Sequence, residues 1–204
     1  YKYVSINDIS PYIYDGYIAV EDKRFRTHGG VDLVATMRAG VSLLKHNMEI
    51  TQGGSTITQQ VIKNNLLTQN KSYTRKIAEI LLAPTIESKF TKAQIMEFYC
   101  NSNYYGNKCY GVGAASRYYF GKKCADLEPQ EAAMLIGLSN SPAAYNPVLH
   151  PQAALKKRNR VLKTMCNDGV ITPKEYKAAV KKKLNIKQLS EEGSSNETYV
   201  ISYA

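Results

Sequence analysis

Apolar residues recur at intervals of three and four along nearly the whole chain, and only its last residues suggest a two-residue alternation. A strand buries every second side chain and an α-helix every third or fourth, so this spacing restricts the chain to a mainly α fold. Ile13, Tyr17 and Val20 step by four and three before His28-Gly29-Gly30 interrupts the period. Val34, Met37, Val41 and Leu44 continue in the same rhythm, a helix expected to start near Asp32. Asn47 to Gly54 is polar and glycine-bearing, hence a loop, and Ser55 is expected to cap a short helix carrying Ile57, Val61 and Ile62. Ser72 to about Glu87 reads as another helix, which Pro84 should kink by removing a backbone hydrogen bond.

Thr91 with Gln94 forms a capping box ahead of Ile95, Phe98 and Tyr99. Gly111 to Phe120 is rich in small residues and predicts a close-packed helix. Pro129 suits the first turn of a helix running through Leu138. Ser141 to Pro151 holds three prolines and reads as a loop. Leu155, Leu162 and Met165 mark a helix stopped by Gly169. Thr172-Pro173-Lys174-Glu175 is a second capping box. Glu191 to Asn196 is polar, and Tyr199 to Tyr203 could form one short strand.

At 204 residues the chain is one domain or two small lobes sharing a core. The expected division is a domain over 1–190 and a polar segment, 191–204, leading to a linker or next domain. With 44% hydrophobic residues, disorder is excluded. No apolar run reaches the ~18–20 residues that cross a bilayer, and nothing resembles a signal peptide. The chain opens at Tyr1-Lys2-Tyr3 without a Met, as a domain excised from a longer protein would. A formal charge of +10 asks for an anionic partner: nucleic acid, a phosphate-bearing substrate or an acidic membrane face. The four cysteines lack C-x-x-C spacing, which argues against structural zinc. Cys109 and Cys124 could pair outside the cytoplasm, whereas Cys100 and Cys166 sit in helical patterns as buried thiols.

Three polar clusters could carry chemistry. Glu21-Asp22 stands where a helix gives way to a glycine turn through Phe25 and His28, open to a substrate. Gln52-Gly53-Gly54-Ser55-Thr56-Ile57-Thr58-Gln59-Gln60 runs a glycine loop into a helix N-terminus, whose free N–H groups and dipole favour an anion. It lacks the Gly-Lys-Ser/Thr of a nucleotide-binding loop. Arg75, Lys76 and Glu79 share one helical turn, a spacing that is by itself a surface ion pair. The three histidines form no metal spacing, and His28 is expected to hold its loop by hydrogen bonds. Lys156-Lys157-Arg158 and Lys181-Lys182-Lys183 read as solvated faces.

In this order, Glu21-Asp22-x-x-Phe25-x-x-His28-x-Gly30, Gly53-Gly54-Ser55-Thr56-Ile57-Thr58-Gln59-Gln60-x-x-Lys63-Asn64 and Arg75-Lys76-x-x-Glu79 resemble the first three motifs of the peptidoglycan glycosyltransferases of family 51. These are the polymerase domains of class A penicillin-binding proteins and their monofunctional relatives. The likeness continues through Lys92–Asn101, Tyr105-Gly106, Gly111–Ala115, Tyr119–Lys122, Glu131–Leu138, Ser141-Pro142 and Tyr145–Pro147. It departs from the pattern at Pro84, Cys100 and Tyr104-Tyr105-Gly106.

The resemblance implies a lysozyme-like, two-lobed helical fold whose smaller lobe faces the membrane. It implies polymerisation of lipid II with inversion and release of polyprenyl diphosphate, at the extracytoplasmic face of the bacterial cell membrane. A sugar hydroxyl is a poor nucleophile and needs a positioned carboxylate, a role the family gives to the position of Glu21. A departing diphosphate needs cations and N–H donors, for which Lys63, Arg75, Lys76 and the helix start at Ser55–Gln60 are the matching positions. Glu79 matches the second essential carboxylate, which orients these cations or a divalent ion, Mg²⁺ or Mn²⁺, at the diphosphate. Asp22, Phe25, His28, Ser55, Thr56, Gln59, Gln60 and Asn64 match the remaining substrate-binding positions. The implied partners are lipid II, a lipid-linked glycan chain, an anionic membrane surface and a transpeptidase domain in the full-length protein. Two rivals remain. A lysozyme-like hydrolase would have no diphosphate for Lys63, Arg75 and Lys76 to neutralise. A basic nucleic-acid-binding module would need exposed aromatics among its cations and no Glu21.

Overall fold

The computed structural model describes residues 3–38, 54–67 and 73–187 of the chain. The principal helices are α1 (Pro11–Glu21), α2 (33–38), α3 (Ile57–Asn65), α4 (Tyr73–Lys89), α5 (Lys92–Ser102), α6 (Val112–Phe120), α7 (Pro129–Asn140), α8 (Pro142–Tyr145), α9 (Pro151–Asn167) and α10 (Pro173–Lys181). Between them, among the described residues, only Tyr104 and Tyr110 form an isolated antiparallel bridge. The mainly α expectation is met.

Local chemistry sets the helix boundaries. Thr91–Gln94 and Thr172–Glu175 form the expected reciprocal capping boxes. Pro129, Pro151 and Pro173 each occupy a first turn, where the missing N–H is one the helix could not have paired. Gly111 enters α6 at φ 82° and Gly121 leaves it at φ 65°, backbone angles that a side chain would strain. The cap of α3 differs from expectation. Thr56, not Ser55, accepts the Gln59 N–H, and the Gln59 side chain answers on the Thr56 N–H. The T-x-x-Q spacing makes both bonds from one pair, which Ser55 could not do.

The core is built where α1, α7, α9 and α10 pack together and α5 and α6 close the other side. Ile13, Tyr17, Ile95, Met96, Leu135, Ile136, Leu162 and Met165 are buried there. Gly16 lets α1 approach α7 closely, because a Cβ on it would lie 2.5 Å from Ile136 Cδ1. The buried tyrosines share their hydroxyls: Tyr17 meets Tyr105 at 2.8 Å and donates to Ser139 at 2.9 Å.

Pro84 lies inside α4, which runs from Tyr73 to Lys89. One lost bond is outweighed by an inward face that buries Glu79 and Ala83. The proline-rich stretch after Ser141 is not all loop, because Pro142 starts the single turn of α8. Arg158 is not solvated. It is wholly buried, and its guanidinium donates to the carbonyls of Val180 and Lys182 at the end of α10. Cys109 and Cys124 are both buried free thiols, whereas Cys166 is only partly buried. The Cys109 Sγ instead lies 3.6 Å from the Asn107 carbonyl. The apolar stripe of α2 faces outward, with Leu33, Val34 and Met37 exposed. The rest of that stripe, the loop from Asn47, the start at Ser72, the 191–204 segment and the Tyr199–Tyr203 strand lie outside the described residues.

Candidate active site

A cleft of about 690 Å³ opens between the C-terminus of α1 and the N-terminus of α3, lined by Glu21, Asp22, Ser55, Gln60, Asn140 and Lys157 among others. Glu21 ends α1, and two amides grip its carboxylate. Asn140 Nδ2 donates to Oε1 at 2.6 Å, and Gln60 Nε2 to Oε2 at 3.3 Å. Each amide is backed in turn, Asn140 Oδ1 by Lys157 Nζ at 2.9 Å and Gln60 Oε1 by the Tyr99 hydroxyl at 3.3 Å. Burial raises the Glu21 pKa, while the Gln60 hydrogen bond and the charges of Lys157 and Lys63 oppose the rise. The negative end of the α1 dipole acts in the same direction as burial. The outcome is a carboxylate more willing than usual to take a proton.

Asp22 begins a fastening that runs the other way, into the protein. Its Oδ2 accepts the Ile57 N–H at 2.9 Å and His28 Nε2 at 2.8 Å. His28 Nδ1 accepts the Gly30 N–H at 3.0 Å, which places the ring proton on Nε2 as the donor to Asp22. His28 therefore holds its loop, as expected. Lys92 reaches from α5 to the His28 carbonyl and to Glu87, both at 2.7 Å, and lies 4.6 Å from the centre of the Phe25 ring. Thr56 donates to the Gly30 carbonyl at 2.6 Å. Gly30 stands at φ +96° with a Cβ position 2.6 Å from the Ala83 backbone, so only glycine fits this contact with α4.

The expected site residues thus divide by placement. Phe25, His28, Thr56 and Gln59 are buried or nearly so, with His28, Thr56 and Gln59 bonded to one another's loops. Asp22 and Thr56 border the cleft, but Asp22 Oδ2 and the Thr56 hydroxyl are spent on internal bonds. The Thr56, Ile57 and Gln59 N–H groups are all occupied. The donors expected at this helix start are therefore largely committed before any anion arrives. Asn64 turns to Asn103, 3.1 Å away.

Cations gather around Glu79 on α4. This buried carboxylate meets Lys76 Nζ at 2.8 Å and Arg75 Nε at 3.3 Å. Lys76 also donates to Ser55 Oγ at 2.7 Å, tying the cluster to the cleft edge. Lys63 stands one turn beyond Gln60 on α3 and makes no ion pair within 4 Å among the described residues. Desolvation lowers its pKa, opposed by Glu79 and reinforced by Arg75 and Lys76. A cation poorly solvated and crowded by two others is poised for an anion. Both Glu79 oxygens are engaged by cations. Among the described residues no three His, Cys, Asp or Glu side chains converge on a common point. The described side chains alone do not make a Mg²⁺ or Mn²⁺ cage.

Sequence reasoning missed Asn140 and Lys157. Nothing marks Asn140 in the sequence, because its role depends on the end of α7 meeting the end of α1. Lys157 was hidden in a charge run that reads as solvated.

A family profile described as transglycosylase matches residues 1–166. The chain is similar to penicillin-binding protein 1A of Aquifex aeolicus, 47% identical over 91% of this chain and 26% of that protein. Penicillin-binding protein 1A of Pseudomonas aeruginosa is 42% identical over 92% of this chain and 23% of its own length. A Cupriavidus necator protein described as a transglycosylase is 41% identical over 91% of this chain and 79% of that protein. Among solved structures, penicillin-binding protein 1A from Haemophilus influenzae aligns with a TM-score of 0.45 and 26% identity, over 65% of this chain and 16% of that one. The chain spans about a quarter of the length of the two penicillin-binding proteins first named.

Proposed function

The chain belongs to the transglycosylase family, and from that premise we propose that it is a peptidoglycan glycosyltransferase that polymerises lipid II at a bacterial membrane. The observation that carries this reading is a pair of unlike carboxylates, Glu21 lining the cleft and Glu79 buried behind its edge and tied to it through Lys76 and Ser55. Glu21 is held by neutral amides and raised in proton affinity, while Glu79 is wrapped in cations. Gln60 and Lys63 lie three residues apart on α3, about 4.5 Å of helix rise, so proton removal and charge neutralisation sit side by side.

Glu21 removes the proton from the 4-hydroxyl of the incoming disaccharide as that oxygen attacks the anomeric carbon of the lipid-linked chain. The new C–O bond forms on the face opposite the breaking bond to the diphosphate, which leaves with the electron pair and inverts the centre. Lys63, Arg75 and Lys76 receive the charge that develops on the diphosphate oxygens. Glu79 keeps Arg75 and Lys76 in place before substrate arrives. The pairing of Glu79 with these cations leaves a divalent ion only as a companion of the diphosphate, and no step depends on it.

The exterior supports a lipid-bound substrate. Ile77 and Leu81 are exposed on α4 and four residues apart, with Leu33, Val34 and Met37 exposed on α2. α4 therefore buries Glu79 while turning apolar residues outward, the arrangement of a surface that meets lipid. Among the described residues no helix is long and apolar enough to cross a membrane. An anchor and a transpeptidase domain in the full-length protein belong to the same proposal.

The test is incubation with fluorescent lipid II in detergent, with and without Mg²⁺, followed by digestion with a muramidase. Muramidase-sensitive polymer from the native chain and none from Glu21→Gln is expected. Polymer made equally by both would remove Glu21 from the chemistry, and no polymer from either would overturn the activity.

A further inference from the structure

We propose that Lys157 is the positioning residue for Glu21, acting through Asn140 to hold the carboxylate ionised and aimed into the cleft. The inference rests on Glu21 serving as the base, as proposed above.

Geometry fixes the direction of the relay. A lysine ammonium only donates, so the Asn140 carbonyl oxygen must face Lys157, 2.9 Å away. That leaves the Asn140 NH₂ to face Glu21 Oε1, 2.6 Å away. Without the ammonium, among the described residues only the bond to Glu21 itself would orient the Asn140 amide. Asn140 is itself exposed, at the last residue of α7, so its own packing does not fix it.

The fold makes room for this reach. Gly137 lies one turn earlier on α7, and a Cβ there would come 2.8 Å from Lys157 Cγ. The lysine stem crosses α7 over that gap and ends 5.3 Å from the Tyr145 ring centre. Among the described residues no carboxylate lies within 4 Å of the ammonium to cancel its charge. Its field reaches Glu21 across one amide.

The groups around Glu21 come from five elements: Asp22 follows it in sequence, Gln60 and Lys63 lie on α3, Tyr99 on α5, Asn140 on α7 and Lys157 on α9. Asp22 pushes proton affinity up, and Lys63 and Lys157 pull it down. Arg160 is the other charge acting on Lys157. Lys63 faces the diphosphate cluster, so Lys157 is the cation left to offset burial on the base side.

The test compares the native chain with Lys157→Met, Lys157→Arg and Gly137→Ala, measuring kcat, KM and the pH profile of lipid II polymerisation. The Glu21 carboxyl is followed separately by ¹³C NMR titration, assigned by its absence in Glu21→Gln. Lys157→Met should lose about tenfold in kcat with KM within about threefold, and its acid limb should move to higher pH. Lys157→Arg should restore the profile. Gly137→Ala keeps the charge but displaces the stem, and should move the limb the same way by less. The NMR midpoint of Glu21 should follow each shift, a readout that stands even if no polymer forms. A native chain that makes no polymer would overturn the glycosyltransferase reading without touching the titration. An unmoved midpoint in Lys157→Met and Gly137→Ala would overturn the relay. So would a rise in KM at constant kcat with an unmoved acid limb, which would put Lys157 on the substrate instead.

Discussion

Glu21 lines the cleft, whereas Glu79 is buried behind the wall that carries Ser55, and the two are held by opposite means. Two cations touch Glu79 directly, at 2.8 and 3.3 Å. Among the described residues no cation touches Glu21, which is gripped by Asn140 and Gln60 while Lys157 lies behind the Asn140 amide. Direct ion pairing suits a carboxylate to organise the cations around it. Amides orient a carboxylate at less cost to its basicity. On the proposed reading, the contrast lets a base and an electrostatic frame stand near each other without either neutralising the other.

The largest effect expected is from Glu21→Gln, a loss of about 10²–10⁴-fold in polymerisation rate, the range that a positioned general base supplies. A loss under tenfold would erase the distinction between the two carboxylates. Glu79→Gln should cost less, about 10–100-fold, because Arg75 and Lys76 remain but lose their common anchor. That loss should appear mainly as weaker lipid II binding, seen in KM.

The loop that meets α4 is tested by stability. Gly30→Ala imposes a strained φ and a clash with the Ala83 backbone, costing about 1–3 kcal/mol for the backbone angle alone. Thermal unfolding should show the loss, and an unchanged melting temperature would mean that α4 and the loop are not packed as described.

The smallest effect is also the most specific. Burial raises the Glu21 pKa in the folded chain, so the native state holds this proton more tightly than the unfolded state. The stability that Glu21 contributes is present at low pH and is lost as pH rises through its raised folded pKa. Glu21→Gln should therefore melt slightly higher than the native chain at pH 7 and indistinguishably from it below pH ~4. A lower melting temperature at pH 7 would mean that the Glu21 carboxylate is stabilising.

Much of this was legible in the sequence because it is written locally. Thr91–Gln94, Thr172–Glu175 and the first-turn prolines are chemistry between near neighbours, and they set boundaries where spacing places them. Arg158 was legible in principle, since Ala154, Arg158, Val161 and Met165 step by four, three and four and share the buried face of α9. The charge run drew attention from that period. Cap choice at Ser55 or Thr56 turned on a single glutamine three residues along. Asn140, Lys157 and Tyr99 could not be read, because each acts on Glu21 across a tertiary contact. The outward apolar faces of α2 and α4 show periodicity indicating a stripe without saying which way it turns.

The central claim is that Glu21 removes the proton and the cations around Glu79 hold the diphosphate. Equilibrium binding of lipid II to Glu21→Gln and Glu79→Gln, each measured beside the native chain, tests it most directly. The account predicts that Glu21→Gln binds within about threefold of the native affinity, whereas Glu79→Gln binds about tenfold or more weakly. Equal losses in both variants, or a greater loss in Glu21→Gln, would contradict it.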